Sequence, residues 1–178
     1  RVASPTKDDV GVYSLSITND FGGATLTSIS AYVDREINMN NDYSLFIGFL
    51  VPDFLPLNSY NTSDTATETF TQELRLSGDA FSGRLQWVGG VFYGNQEDRL
   101  LQKVTTVGVG VSSAGGIDVT YFGDQRTDSK QFAAFGELTY ESVPSLDLTL
   151  GRRYFEAEQT VNGVFDGLFN GGPSSVDN

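Results

Sequence analysis

The stretch Phe70 to Gly94, FTQELRLSGDAFSGRLQWVGGVFYG, restricts the folds open to this chain more than any other. Phe70, Leu74 and Leu76 fall on one parity of its first arm, and Thr69, Thr71, Glu73 and Arg75 on the other. In the second arm Leu85, Trp87, Val91 and Tyr93 share a parity that excludes Arg84 and Gln86. A period of two over this length marks a strand with one apolar and one polar face. Ser77 to Gly83, with Gly78, Asp79 and Gly83, supplies turn chemistry between the arms. The pattern suits a soluble sandwich with the apolar face inward, and equally a membrane barrel with that face outward.

The alternation recurs along the chain. In Val10 to Thr18, Tyr13, Leu15 and Ile17 oppose Ser14, Ser16 and Thr18. In Ala24 to Glu36, Ile29, Ala31 and Val33 oppose Ser28, Ser30, Tyr32 and Asp34, although Leu26 sits on the polar parity. Phe132, Ala134, Leu138 and Tyr140 oppose Gln131, Ala133, Glu137 and Thr139, and Leu146, Leu148, Leu150 and Tyr154 oppose Asp147, Thr149 and Arg153. Asn19–Gly23 and Glu141–Ser145 are turn-like breaks. Residues 37–67 and 95–128 hold no sustained period and read as long loops, and helical periodicity is absent throughout. Arg1 to Asp9 reads as the end of a loop, and Ala157 to Asn178 as a Gly/Asn/Ser-rich close. The prediction is an all-β, antiparallel up-and-down meander of six long strands near 10–18, 24–36, 68–77, 84–94, 130–140 and 146–156. Their connections run short, long, short, long, short.

Composition removes several function classes. Eleven Lys plus Arg against 23 Asp plus Glu give a formal net charge of −12, which opposes binding of nucleic-acid phosphates. With neither cysteine nor histidine, the chain has no disulfide framework and lacks the commonest general base and transition-metal ligand. No cofactor is implied. Twenty Gly, 13 Phe and 8 Tyr suit a β chain rich in turns. No apolar run is long enough for a transmembrane helix, and no secretory signal is present. A start at Arg1 and a single Met39 are expected of a processed chain or a fragment.

Three features favour the barrel. Strands near 84–94, 130–140 and 146–156 match the roughly 9 to 11 residues of a membrane-spanning strand rather than the usual five or six. Short and long connections alternate, as they do in barrels with periplasmic turns and extracellular loops. Trp87 and Tyr93 lie about 20 Å apart on one apolar face, and Tyr140 sits beside a short turn, as interface aromatics do.

Several segments resemble TonB-dependent outer-membrane receptors. Thr71-Gln72-Glu73-Leu74-Arg75-Leu76, a glycine-containing turn, then Leu85-Gln86-Trp87-Val88-Gly89-Gly90-Val91-Phe92-Tyr93 is similar to a barrel hairpin of that family. Thr27-Ser28-Ile29-Ser30-Ala31-Tyr32 resembles the strand before it. Phe132 to Tyr140 and Leu146 to Tyr154 resemble the hairpin after it. The resemblance covers five of the six strands and fails in the long loops. It implies energy-coupled uptake, at the outer membrane of a Gram-negative bacterium, of a scarce solute such as an iron chelate, a vitamin or an oligosaccharide. The implied partners are outer-membrane lipid, a plug domain in the lumen and the TonB complex. Residues 1–178 would then be part of a barrel, without plug or closing strand. Arg152 departs from the family pattern, standing on the parity of Leu148 and Leu150 where an apolar residue is usual.

The polar face carries Glu73, Arg75, Glu137 and Arg153, either a charged lumen wall that contacts plug or solute or ordinary cross-strand pairs. Phe46, Phe49, Phe54 and Tyr60, in the first long loop, are candidates for an external ligand surface, the alternative being packing within the loop. Gly108-Val109-Gly110 lacks the strand–helix context of a dinucleotide motif. Asp34, Glu36, Asn38 and Asn40 have the alternate spacing of a calcium loop, without its glycine and closing carboxylate. Asn61-Thr62-Ser63 is a glycosylation sequon, and Glu156/Glu158 and Glu68/Glu73 are the carboxylate pairs a glycosidase would use. Nothing fixes their separation, and no enzyme is expected. The reading from another class is a secreted β-sandwich acting in carbohydrate binding or adhesion.

Overall fold

Threonine, valine and aromatic residues at alternate positions favour extended backbone, and the chain spends most of its length there. The structure, a computed structural model, describes residues 4–55, 57–143, 146–170 and 173–177. Strands β1 (Thr6–Asp20), β2 (Ala24–Asp42), β3 (Ser59–Ala80) and β4 (Leu85–Thr106) follow one another as antiparallel neighbours. A two-residue pair, β5 (Ser112–Ser113) and β6 (Gly116–Ile117), interrupts the connection to β7 (Val119–Val143). Then come β8 (Leu146–Asp166) and the short β9 (Ser174–Asp177). The main sheet runs β1-β2-β3-β4-β7-β8-β9, a meander in which each long strand pairs with the next. Among the described residues the ladder slips between Val104 and Thr105 and between Glu141 and Val143.

The strands outrun the sequence expectation. β3 and β4 have 22 residues each and β7 has 25, about 70 to 80 Å of extended chain. The expected loop 95–128 is mostly strand and the expected loop 37–67 about half, and the connections between long strands shrink to residues 43–58 and 107–118. In part of the added length, as in Asn61–Thr69, polar residues occupy both faces, so pairing persists without an amphipathic period. Thr6 to Asp9 likewise belongs to β1, with Arg1 to Ala3 outside the described residues, and β8 continues through the expected close to Asp166. A helical turn of seven residues, α1 (Ser44–Leu50), also escaped the sequence reading, because SLFIGFL is apolar throughout and shows no 3.6-residue period. The proposed Ser77–Gly83 turn tightens to Phe81–Arg84, where Phe81 (φ 53°), Ser82 (φ 59°) and Gly83 (φ 85°) are all left-handed. Arg84, expected on the inward face, stands in that turn. Pro144 and Ser145 of the last expected turn, and Pro56, lie outside the described residues.

Exposure alternates along the strands. From Asp64 to Phe70 and from Arg126 to Lys130 the even residues are exposed and the odd ones half-buried, and in Glu97–Leu100 the odd ones are exposed and the even ones half-buried. Side chains splay on the convex side of a curved sheet and crowd on the concave side. The convex face therefore carries Phe70, Leu74, Val91 and Tyr93, and the concave face Glu73, Arg75 and Gln86. A conventional core is nearly missing: among the described residues the buried apolar side chains are Ile47, Val104, Val119 and Ala133.

Candidate functional site

Register turns six separate alternations into one surface. Tyr13 faces Tyr32, which faces Phe70, and one convex position lower on the next strands Tyr93 faces Phe132. Tyr154, opposite Ala134, comes one position lower again on β8. Each of the six long strands thus contributes one aromatic ring to an upper border. Below it the convex face is apolar, with Leu15 and Ile17, Leu26, Leu74 and Leu76, Val91, Leu138, Leu148 and Leu150. Above it the same face turns polar at once, with Asp34, Glu68, Glu97 and Asp128 in one cross-strand row.

The expected interface aromatics take defined places in this belt. Tyr93 belongs to the upper border, and Tyr140, between Leu85 and Leu148, stands at the lower one. Trp87 lies over Gly78 so closely that a Cβ on the glycine would come within 2.7 Å of the indole. The register also settles β2: Leu26 and Tyr32 belong to the convex face, and Ile29, Ala31 and Val33 to the concave one. The polar residues left in the belt satisfy one another, since Ser30 Oγ donates to Gln72 Oε1 and Gln72 Nε2 donates to Ser28 Oγ at 3.0 Å. Arg152 keeps its parity. It faces Gly136 within an unbroken ladder, between Leu150 and Tyr154, and is the one ionised side chain on the belt among the described residues.

On the concave face the structure brings together part of the expected charged set. Glu73 and Arg75 form an ion pair, and the Arg75 guanidinium stands 6.0 Å from the centroid of Phe135. Phe135 lies over Gly90, its cross-strand partner, where a Cβ would meet the ring at 2.6 Å. Arg153 faces Phe135 from the other side, so arginine flanks the aromatic along one row, Arg75–Gly90–Phe135–Arg153. Glu137, the next concave position on β7, opposes Gly151. Neither Glu137 nor Arg153 is ion-paired among the described residues. This wall can hold an anionic or carbonyl group at Arg153 and a cationic one at Glu137.

The four loop candidates do not form one unit. Phe46 and Phe49 lie on α1 and are exposed, the former in edge contact with Tyr43 at 5.4 Å between centroids. Phe54 is half-buried in a short 3-10 turn, and Tyr60 is half-buried on β3. Beneath the helix, Ile47 is 2 % exposed, and Ser59, Thr106 and Thr120 form a buried hydroxyl ladder with Oγ distances of 3.0 and 3.4 Å.

Asp118 organises the second loop, and the sequence left it unmarked. Its carboxylate accepts the backbone N–H of Gly108 at 2.9 Å and of Gly110 at 2.7 Å. Those bonds, the Gly108 one first, hold its pKa below the ordinary aspartate value against a smaller desolvation effect. The signal was the Gly108-Val109-Gly110 spacing, whose free amides serve a carboxylate of the chain itself. Two bidentate pairs brace the upper wall, Arg35 with Asp8 at 2.9 and 2.6 Å and Arg99 with Asp124 at 3.1 and 2.8 Å. The hydrogen bond from Arg99 holds the Asp124 carboxyl below its usual range.

Other motifs resolve into ordinary strand geometry. Asp34, Glu36, Asn38 and Asn40 share the convex face of β2, so their alternate spacing is the strand period; Asn38 Nδ2 donates to Asp64 Oδ1 at 2.9 Å. Glu68 is convex and Glu73 concave, which separates that carboxylate pair by the sheet itself. Asn61 of the sequon is 3 % exposed and accepts from Gln102 Nε2 at 3.1 Å.

No protein-family model matches the chain, and no curated protein does. Solved structures share its fold. The ferric yersiniabactin uptake receptor FyuA from Yersinia pestis superposes with a TM-score of 0.75 at 14% identity, over 98% of this chain and 24% of its own. The ferric citrate transporter FecA in its unliganded form gives a TM-score of 0.53 at 12% identity, over 97% of this chain and 23% of its own. The chain thus spans about a quarter of the receptors it resembles and has the fold of a section of their β-barrels.

Proposed function

We propose that the chain is a section of the barrel wall of a TonB-dependent receptor in the outer membrane of a Gram-negative bacterium. Its work there is energy-coupled uptake of a scarce solute such as an iron chelate, with no enzymatic step. The observation that carries this is the convex belt, apolar across six consecutive strands and topped by one aromatic ring on each. Water would leave that belt exposed, whereas hydrocarbon covers it and headgroups suit its aromatic rim. The concave face then lines the lumen, where Glu73, Arg75, Glu137 and Arg153 meet a plug or solute. The strand extensions, α1 and the Asp118 loop stand outside the cell, and Phe46 and Phe49 are the loop residues offered to a solute. Trp87, Tyr93 and Tyr140 sit at the two interfaces.

A secreted sandwich needs a second sheet over the apolar face. The described residues form one seven-stranded sheet with that face bare, so the sandwich alternative is set aside.

Fractionation of cells making the full-length protein tests the proposal. A detergent-extracted outer-membrane protein that migrates differently before and after boiling is the expected result. Coupled uptake is then read as solute accumulation that stops when the inner-membrane proton gradient is dissipated. Recovery in the soluble periplasmic or secreted fraction would overturn it.

A further inference from the structure

The two faces of the upper wall divide the charge of the chain unequally. Above Glu73, the convex face of β3, β4 and β7 holds Asp64, Glu68, Glu97, Arg99, Arg126 and Asp128. The concave face of those strands and β8, from the row of Thr71 to the row of Ser63, carries one charged side chain, Asp98. Both of its oxygens are engaged, since Thr67 Oγ1 donates to one at 2.6 Å and Gln96 Nε2 to the other at 2.7 Å. In a chain of net charge −12, a neutral face is a specific feature. Threonine occupies every concave position of β3 from Thr65 to Thr71, and β7 answers with Gln125, Thr127, Ser129 and Gln131. Gln159 Nε2 donates to Ser129 Oγ at 3.4 Å, whereas Gln131 is exposed and has no hydrogen-bond partner among the described residues. Beneath this polar wall Phe92 and Phe155 flank Ala133 in one row, and Ala133 is fully covered. Phe92 leans upward over Gly94, whose Cβ would meet the ring at 3.3 Å, while Phe155 stays 53 % exposed. Gln131 and Phe155 are diagonal neighbours on adjacent strands, about 7 to 8 Å apart, and Ala157 sets only a methyl group beside them. Arg75 and Arg153 belong to the next row down, on the far side of the rings.

Hydroxyls and primary amides each donate and accept, so this wall pairs best with a solute that does both and carries no charge. A multiply charged chelate set against it would lose water without gaining a counter-charge. An exposed aromatic ring beside a free amide suits a sugar, which has an apolar C–H face and a rim of hydroxyls. We propose that the concave wall above Phe92 and Phe155 binds a neutral oligosaccharide. One sugar stacks on Phe155 with its hydroxyls paired to Gln131 and Gln159, and further units run up the hydroxyl rows of β3 and β7. The proposal rests on the receptor reading above and narrows its solute from an iron chelate to an uncharged glycan.

The test is calorimetric titration of the full-length protein, purified from outer membranes in a detergent without a sugar headgroup. The probes are maltohexaose, cellohexaose and xylohexaose, with ferric citrate as the anionic iron chelate. At least one neutral hexasaccharide is expected to bind, and ferric citrate neither to bind nor to compete. Phe155→Ala should weaken that binding by about tenfold, through loss of the stacking face. Gln131→Leu, which keeps the bulk and removes the amide, should weaken it by about three- to tenfold. Should Phe155→Ala fail to fold, Phe155→Leu keeps an apolar side chain without the flat face and decides by the same readout. Binding of ferric citrate as tight as that of every hexasaccharide overturns the proposal, as does hexasaccharide binding untouched by both substitutions. A heat-modifiable outer-membrane protein that binds none of the three hexasaccharides sinks only this inference. A protein absent from that membrane sinks the receptor reading as well.

Discussion

Placing an arginine at successive depths on one strand face tests the belt directly. On β3, Ala66, Phe70 and Leu74 all point to the convex side. Leu74 lies four residues below Phe70 and six above Ala80, about 13 and 20 Å along the strand. With a strand tilt of about 40°, those distances become about 10 and 15 Å along the membrane normal. Their sum matches the roughly 25 Å height of a barrel's apolar band and puts Leu74 near its middle. Leu74→Arg should therefore cost about 2 to 4 kcal/mol, and Phe70→Arg, at the rim, about 0 to 1 kcal/mol for the charge. Ala66→Arg, about 20 Å above Leu74 along the normal, should change stability by about 0.5 kcal/mol or less. The Leu74 cost is roughly a 30- to 700-fold fall in the folded-to-unfolded ratio. Denaturant titration of the full-length protein refolded into lipid vesicles reads all three. Equal costs at Ala66 and Leu74, or none at Leu74, would refute the assignment of the convex face to hydrocarbon.

Gly78→Ala should destabilise by about 1 to 3 kcal/mol, because its Cβ would lie 2.6 Å from the Gly23 carbonyl oxygen and 2.7 Å from Trp87. Gly89→Ala, whose Cβ meets only the Phe135 carbonyl oxygen at 3.7 Å, should be neutral or stabilise by up to about 1 kcal/mol, and thermal unfolding separates the two. Ser82→Asn at φ 59° should raise stability by a few tenths to about 1 kcal/mol, since asparagine tolerates the left-handed turn better than serine. Asp118 has a folded pKa below its unfolded one, so its tie to Gly108 and Gly110 is present above the ordinary aspartate range and fades as pH falls through the lowered value. Amide exchange at Gly108 and Gly110 should lose protection in that acid window, and in Asp118→Ala at neutral pH.

The lower half of each strand was legible because its two faces differ in chemistry. Leu85, Trp87, Val91 and Tyr93 occupy one and Gln86 the other, and that contrast writes a period of two into the sequence. Past the aromatic border that contrast fades. Tyr60 to Thr69 is then mostly serine, threonine, asparagine and acids, and its strand is visible only in the pairing with Asp42–Val33. Cross-strand information decided β2 as well. Taken alone, Ile29, Ala31 and Val33 look like its lipid face, yet opposite Phe70 and Leu74 stand Tyr32 and Ser28. The site was half legible for a related reason. Glu73 and Arg75, two residues apart on one strand, come together as parity requires, whereas placing Phe135 between Arg75 and Arg153 needs the register of three further strands. Asp118 closes on amides eight and ten residues earlier through a left-handed φ of 63°, which no periodicity announces.

The scarcity of a core bears on what stabilises such a chain. Four buried apolar side chains cannot offset the ordering of so many residues, and folding in water would leave Leu74, Val91, Leu148 and Leu150 between 40 and 73 % exposed. The ladder supplies the remainder of the argument. Six strands exchange backbone hydrogen bonds along nearly their whole length, which is what hydrocarbon demands of any segment placed in it. Three polar side chains in the belt, Ser28, Ser30 and Gln72, hydrogen-bond with one another. On the receptor reading, such a wall draws its apolar burial from lipid and its rigidity from register. Its two faces are then free to diverge in chemistry: a nearly charge-free belt outside, and a row of arginine, glycine, phenylalanine and arginine within.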